Sequence, residues 1–293
     1  MTKLLVLICF FVGIDQVFGL ILDKYYNQVK SGTIYKTNYA LRESSEEIVI
    51  FGASEVSHSL ISNQIRDKMG MTCYNMGLDG QSIFYQYSVL NELLRRYNPK
   101  IVIISTNILH ENKTTNIASL FPYYYKYINI RNLIGEVEPS ERIKLLIKSY
   151  AYNSLIIKVI EGNIRVEPET NGYIPLFAEG NDMQLDTTPY RFNITDITLE
   201  YFSKFIEACK EANCKVFVIG TPKYFTNIDI DQHQMIKKLL DEQSIDFLDF
   251  TIDTTFTNHP ELFKDKPHLN HNGAIIFTDI VIDEILQLIK ARE

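Results

Sequence analysis

The chain has 293 residues, of which 46% are hydrophobic, 12% aromatic and 22% charged. That balance supports a sizeable buried core and excludes disordered, collagen-like and coiled-coil classes. With 36 acidic against 29 basic residues and a net charge of -7, there is no basic excess to neutralise a phosphate backbone, so nucleic acid is not an expected partner. Four cysteines without CxxC spacing or a Cys/His cluster argue against a disulfide scaffold and against a structural zinc site.

After Lys3 the sequence runs Leu4 to Leu22 with polar breaks only at Asp15 and Gln16, and ends in Asp23-Lys24. A cleavable secretory signal would need small residues at its cleavage site, which Val17-Phe18-Gly19 supplies poorly. A span needs about 20 mostly apolar residues, and this segment reaches that length only by carrying Asp15 near its centre, at a cost of about 2.5 to 3.5 kcal/mol. The uninterrupted apolar run from Leu4 to Ile14 favours an uncleaved anchor over a buried amphipathic helix. Residues 1–24 are thus expected to cross the cell membrane through 4–22, with Met1 to Lys3 in the cytoplasm and the rest on the extracytoplasmic, periplasmic side. Asp15, costly in lipid, is expected to face a protein partner within the membrane. Residues 25–46 show no sustained period and read as a juxtamembrane segment.

Ile48-Val-Ile-Phe51 is a short β-branched apolar run ending at Gly52, the pattern of a strand buried on both faces of a parallel sheet. A helix is expected over Leu60 to Met69, a short strand at Thr72-Cys-Tyr74, and a helix within Ser82 to Tyr97, where Ile83, Tyr87, Leu90 and Leu94 share a face. Further strands are expected at Ile101–Ile104, Lys215–Ile219 and Ile245–Leu248, with helices over Leu199–Ala212 and Gly273–Lys290. Strands alternating with helices predict an α/β fold around a parallel sheet, spanning 47–293. The alternation stops between Glu111 and Asp196, where an aromatic run at Phe121 to Tyr127, a helical stretch Ser140 to Ile160 and a Gly/Asn/Pro-bearing stretch from Glu161 to Pro189 read as an insertion beside the active edge of the sheet.

Ligands of open parallel sheets bind outside the carboxyl ends of the strands. There the chain places Gly52-Ala-Ser54, Asn75-Met-Gly77-Leu-Asp-Gly80, Ser105-Thr-Asn107 and, late, Asp265-Lys-Pro-His268. Taken singly these are the residues of helix caps and turns. Together they compose an acyl-transfer site: Ser54 as nucleophile, His268 as base and Asp265 as the carboxylate that holds the imidazole. The oxyanion would be met by the N–H groups of Ser54 and Gly80 and the side-chain amide of Asn107. This chemistry requires neither metal nor organic cofactor. An ordinary α/β-hydrolase elbow is excluded because Val56, not Gly, stands two residues after Ser54.

These dispersed blocks resemble those of the SGNH, or GDSL-like, hydrolase superfamily, standing here as Ser54, Gly80, Asn107 and Asp265 with His268. The first block departs in reading Gly-Ala-Ser instead of Gly-Asp-Ser, and the third in reading Ser-Thr-Asn-Ile instead of Gly-x-Asn-Asp. The resemblance covers Ile48 to the end apart from the insertion, and implies a three-layer α/β/α sandwich and esterase, lipase or carbohydrate acyl-transfer activity. An anchor ahead of such a domain resembles the exported members that accompany membrane-bound O-acyltransferases and acylate bacterial envelope polysaccharide, which implies an acylated carbohydrate substrate and such a partner. The alternative is a non-catalytic accessory protein that keeps the cleft to bind a glycan or an acyltransferase. His58 reads as a helix-surface residue, Asn270 and Asn272 as caps of the last helix, and the Tyr123 to Tyr127 cluster as packing. Cys209 and Cys214 read as free thiols.

Overall fold

The computed structural model describes residues 2–110, 117–166, 168, 170–177, 183–191 and 193–292; Glu111, where the insertion was expected to begin, lies outside them. In chain order, helices α1 (Thr2–Asn27) and α2 (Gly32–Arg42) precede strand β1 (Ile48–Phe51), α3 (Ser54–Ser59), α4 (Ser62–Met69), β2 (Cys73–Asn75), α5 (Ile83–Leu94) and β3 (Ile101–Ser105). Then come α6 (Ile128–Val137), α7 (Glu141–Lys144), a 3-10 turn at Lys148–Tyr152, α8 (Ile156–Ile164), α9 (Asp196–Glu211), β4 (Lys215–Gly220) and α10 (Ile230–Glu242). The chain closes with β5 (Asp246–Asp249), α11 (Thr254–Thr257), β6 (Phe263–Asp265), β7 (His268–Leu269) and α12 (His271–Lys290). It divides into two compact units, Ser44–Lys113 with Thr170–Glu293, and Met1–Glu43 with Thr114–Glu169.

The larger unit is the expected three-layer α/β/α sandwich. Its five strands are all parallel in the order β2-β1-β3-β4-β5. The apolar runs at 48–51 and 101–105 are buried on both faces, as the absence of alternation requires. Ile48, Ile50, Ile101, Ile103, Phe217 and Ile219 point into a core shared with Phe277, Val281, Ile282 and Ile285 of α12, which also packs on α3 and α4. On the opposite face Phe51 meets Phe205 of α9 edge-on at 5.2 Å, and Phe84 of α5 meets Tyr201 of α9 in the same way. The sheet order reverses between β1 and β3, the point at which open parallel sheets place their ligands beyond the strands' carboxyl ends.

Two expectations change in this unit. The helix read from Leu60 to Met69 starts at Ser62 as α4 and is preceded by a separate helix, α3, from which it is parted where the Asn75 side chain donates to the carbonyls of Val56 (2.8 Å) and Leu60 (2.9 Å), giving those carbonyls partners outside a continuous helix. The insertion is also shorter than 111–196. Residues from Thr170 belong to the sheet unit, where Asn75 N–H donates to Asn171 O and Ile174 N–H to Ser57 O. A side chain on Gly172, whose φ is +81°, would strike Asn75 O at 2.0 Å, so glycine alone permits that approach.

The smaller unit pairs the leader with 114–169. The 25–46 segment is not irregular, since it holds α2. Residues 140–160, expected as one helix, break at Lys148–Tyr152 and at Ser154, whose φ is +64°. The break has a cause: Asp15 accepts hydrogen bonds from Lys148 N–H (2.6 Å), Ser149 N–H (3.1 Å) and Ser149 Oγ (2.5 Å). The partner expected for Asp15 in another protein is therefore supplied by this chain. Tyr26 packs edge-on against Tyr123 and Tyr152, and Tyr123 Oη donates to Asn38 Oδ1 at 3.0 Å, so the tyrosine cluster is packing. Helix α1 is long and apolar enough to cross a membrane, with a mean hydropathy of 2.5 over its best 18 residues.

Candidate active site

Ser54 opens α3 directly after β1. The turn from strand to helix is tight enough that a side chain on Gly52 would meet Val56 Cγ2 at 2.4 Å. The chain therefore reverses sharply there and sets Ser54 at the sheet's carboxyl edge. Ser54 Oγ donates to His268 Nε2 at 2.8 Å, and His268 Nδ1 donates to Asp265 Oδ1 at 2.7 Å. The tautomer follows from the partners: an acceptor carboxylate at Nδ1 leaves Nε2 unprotonated and ready to take the serine proton. Asp265 and His268 sit on the antiparallel β6–β7 hairpin, not on an irregular loop, and face one another across its register. Asp265 Oδ1 also accepts the His268 backbone N–H at 3.0 Å, which fixes the carboxylate at the tip around Lys266-Pro267. The His268 side chain is 21% exposed and Asp265 53%, so the relay opens to solvent.

The other two expected residues follow the neighbouring strands, β2 and β3. Gly80 lies in the turn between β2 and α5 with a φ of +70° and open space around it; a left-handed backbone there suits glycine. Asn107 is buried in a short 3-10 turn after β3, its N–H donating to Ser105 Oγ (3.2 Å) and its Nδ2 to Thr221 Oγ1 (2.7 Å). Because β2, β1 and β3 are consecutive in the sheet, Gly80, Ser54 and Asn107 stand in that order along one edge. The structure hydrogen-bonds Ser54, His268 and Asp265 into one chain and places Gly80 and Asn107 after the two strands that flank β1.

Three supporting groups were not legible from spacing. Lys223, just beyond β4, is buried and donates to Glu55 Oε1 at 3.2 Å, with its ammonium 4.5 Å from the Tyr190 ring centroid. For Glu55, burial pushes the carboxyl upward most strongly, but Lys223, its own backbone N–H and His268 together hold it below its ordinary value. For Lys223, desolvation pulls downward, and Glu55 and Tyr190 outweigh it and raise the ammonium above its ordinary value. The pair is thus ionised. His58 is not a helix-surface residue: it is buried, its Nδ1 donates to Ile174 O at 2.8 Å, and Nε2 lies 3.2 Å from Asp79 Oδ2. Both partners are oxygen acceptors. The His58 ring stands edge-on to His268 with centroids 5.8 Å apart. Thr221 is the third, through its bond to Asn107.

Asn270 caps α12 by accepting from Gly273 N–H at 3.0 Å. His271 is half-buried, its Nδ1 2.9 Å from Tyr173 Oη. Cys209 and Cys214 are free and buried, and burial pushes the Cys214 thiol up to about 11, so neither is a reactive thiolate.

No protein-family profile and no curated protein matches this chain. Among solved structures, a GDSL-like lipase from Bacteroides thetaiotaomicron is similar at 12% identity with a TM-score of 0.44, covering 89% of this chain and 100% of that one. A psychrotrophic esterase from Pseudoalteromonas sp. is similar at 9% identity and 0.43, covering 83% and 99%.

Proposed function

We propose that this protein is a serine ester hydrolase or O-acyltransferase of the SGNH type, working through an acyl-enzyme on Ser54. The observation that carries the reading is the continuous relay Ser54 Oγ–H to His268 Nε2 and His268 Nδ1–H to Asp265. Ser54 Oγ attacks the acyl carbonyl as its proton passes to His268 Nε2, and Asp265 stabilises the resulting imidazolium. The oxyanion is met by the N–H groups of Ser54 and Gly80 and by the Asn107 amide. Collapse breaks the ester bond, His268 returns the proton to the departing alcohol, and the acyl group stays on Ser54. Water then regenerates the enzyme by hydrolysis, or a sugar hydroxyl does so by transfer, through the same proton relay.

The finer reading is an enzyme anchored by α1, its sandwich on the extracytoplasmic side, acting on acylated cell-envelope carbohydrate beside a membrane-bound O-acyltransferase. It is supported by the sequence blocks and by the apolar leader. Exposure of the full chain to a serine-reactive fluorophosphonate tests the chemistry: the expected result is a single adduct on Ser54, absent from Ser54→Ala and strongly slowed in His268→Ala. A folded protein that stays unlabelled and inert toward aryl acetates would leave only the non-catalytic, glycan-binding reading.

A further inference from the structure

We infer that the inserted segment 143–164 lies within the outer leaflet of the membrane, so that the bilayer contact of this chain is a platform and not a lone helix. The inference rests on the reading of α1 as an anchor and extends it.

The depth follows from Asp15. At ~1.5 Å per residue, the part of α1 ahead of Asp15, Leu4 to Ile14, measures only ~16 Å, about half of the ~30 Å hydrocarbon core. If α1 spans, the turn of helix carrying Asp15 sits near mid-depth, and whatever binds Asp15 sits there too. Its hydrogen bonds come from Lys148 and Ser149. One further turn along, the Lys148 stem lies so close over Gly19 that a side chain there would meet Lys148 Cγ at 2.6 Å. At the outer end of α1, Asp23 accepts from Tyr152 Oη at 2.7 Å and Tyr25 O accepts from Asn163 Nδ2 at 3.0 Å. Residues 148–163 are thereby pinned along the outer half of the helix. Irregular backbone is tolerated at such depth where it is covered by protein and its polar groups are met, and the N–H groups at the break are met by Asp15.

The surface of this segment is apolar where water would disfavour it. Ile143 is 73% exposed and Leu146 71%, with Ile147, Ile157, Ile160 and Ile164 also exposed. Val159 and Gly162 of α8 are buried, while its exposed positions Ile156, Ile157, Ile160 and Ile164 are apolar and are interrupted by exposed Lys158 and Glu161, the make-up of a helix whose apolar residues enter a bilayer while its charged ones reach the headgroups. A patch of this kind marks a protein or membrane contact. Exposed Arg142, Lys144, Lys158 and Arg165 lie at and among these apolar residues, with exposed Glu161 and with buried Glu141, which pairs with Lys144, and an excess of basic over acidic groups beside apolar residues suits anionic headgroups. Continuity with α1 and this basic excess select lipid as the occupant.

Site-directed fluorescence on the full chain tests this. Cys9→Ser removes the exposed cysteine and leaves three buried ones. An environment-sensitive dye is then placed by Leu146→Cys, by Ile160→Cys or, as a control on exposed α10, by Lys237→Cys. Each protein is reconstituted into phosphatidylethanolamine–phosphatidylglycerol vesicles and floated on a gradient. Nitroxide carried on the lipid chains should at least halve emission at 146 and 160 but not at 237, whereas aqueous iodide should quench only 237. Iodide quenching at 146 and 160 in protein that floats would overturn the embedded platform while leaving the anchor intact. Shielding of both positions from both quenchers would place a protein on the patch and also overturn it. Protein that does not float would overturn the anchor and the platform together.

Discussion

Asn107 has two N–H bonds on its side-chain amide, and Thr221 takes one of them, which aims the other independently of substrate. An oxyanion donor acts mainly in the transition state, so Asn107→Ala is expected to lower kcat by roughly 10²- to 10³-fold with KM little changed. Thr221→Val should move kcat in the same direction by less, since it loosens the donor without removing it; steady-state kinetics on an aryl acetate separates the two, and a pure KM effect would make Asn107 a substrate-positioning residue. Asp265→Asn should leave the fold intact and cost up to ~10⁴-fold in turnover by favouring the wrong imidazole tautomer. Ser54→Ala and His268→Ala should each abolish turnover, and the double variant should be no worse, because nucleophile and base act as one unit. Ser54 was legible because it follows a strand signal, and Asp265 and His268 because their three-residue spacing late in the chain is one the chemistry uses. Thr221, Lys223 and His58 were not. Lys223 meets Glu55 across 168 positions, and nothing local to either residue signals the other.

At the scale of the element, β1, β3 and β4 were readable because burial on both faces leaves continuous β-branched runs, whereas α10 went unmarked because only Ile236 and Leu240 of its residues are buried and a thin apolar stripe gives little period. The junction of α3 with the end of β4 is held by the buried Glu55–Lys223 pair. Removing one partner of such a pair strands the other charge, so Lys223→Met should cost about 3 to 5 kcal/mol, while Glu55→Gln combined with Lys223→Met should recover most of that loss. Chemical denaturation of the parent, Lys223→Met, Glu55→Gln and the double variant measures it; additive losses would mean the pair contributes no coupling. The sign of the pH effect is fixed by direction. Because Glu55 is held below its ordinary value in the folded chain, its contribution is complete above the ordinary carboxylate range of about 4.3 and is lost as pH falls through the lower folded value. The double variant should therefore show a flatter loss of stability on acidification than the parent.

At the scale of the molecule, the sequence reading assigned 114–169 to the hydrolase domain as an insertion and the leader to the membrane alone, because no residue spacing reveals that two distant segments share a core. The structure joins them: Leu22, Tyr26 and Val29 are buried beside Tyr123, Tyr152 and Val159, and Asp15, Asp23 and Asn38 find their hydrogen-bond partners in 123–152. Neither segment alone covers the apolar surface the other presents, and surface left uncovered drives association. The entire Ser54 relay, with Gly80, Asn107 and their supports, lies in the other unit. Deleting residues 1–43 alone is therefore expected to give an aggregating protein, since it strips 114–169 of its partner. Deleting 1–43 and also replacing 114–169 with a flexible Gly/Ser linker should give a soluble, monomeric sandwich that still reacts with a fluorophosphonate at Ser54. Size-exclusion chromatography and probe labelling of the two truncations decide the matter. A monomeric first truncation would mean that 114–169 folds without the leader, and a soluble but unreactive second one would mean that the site needs residues the sandwich does not contain.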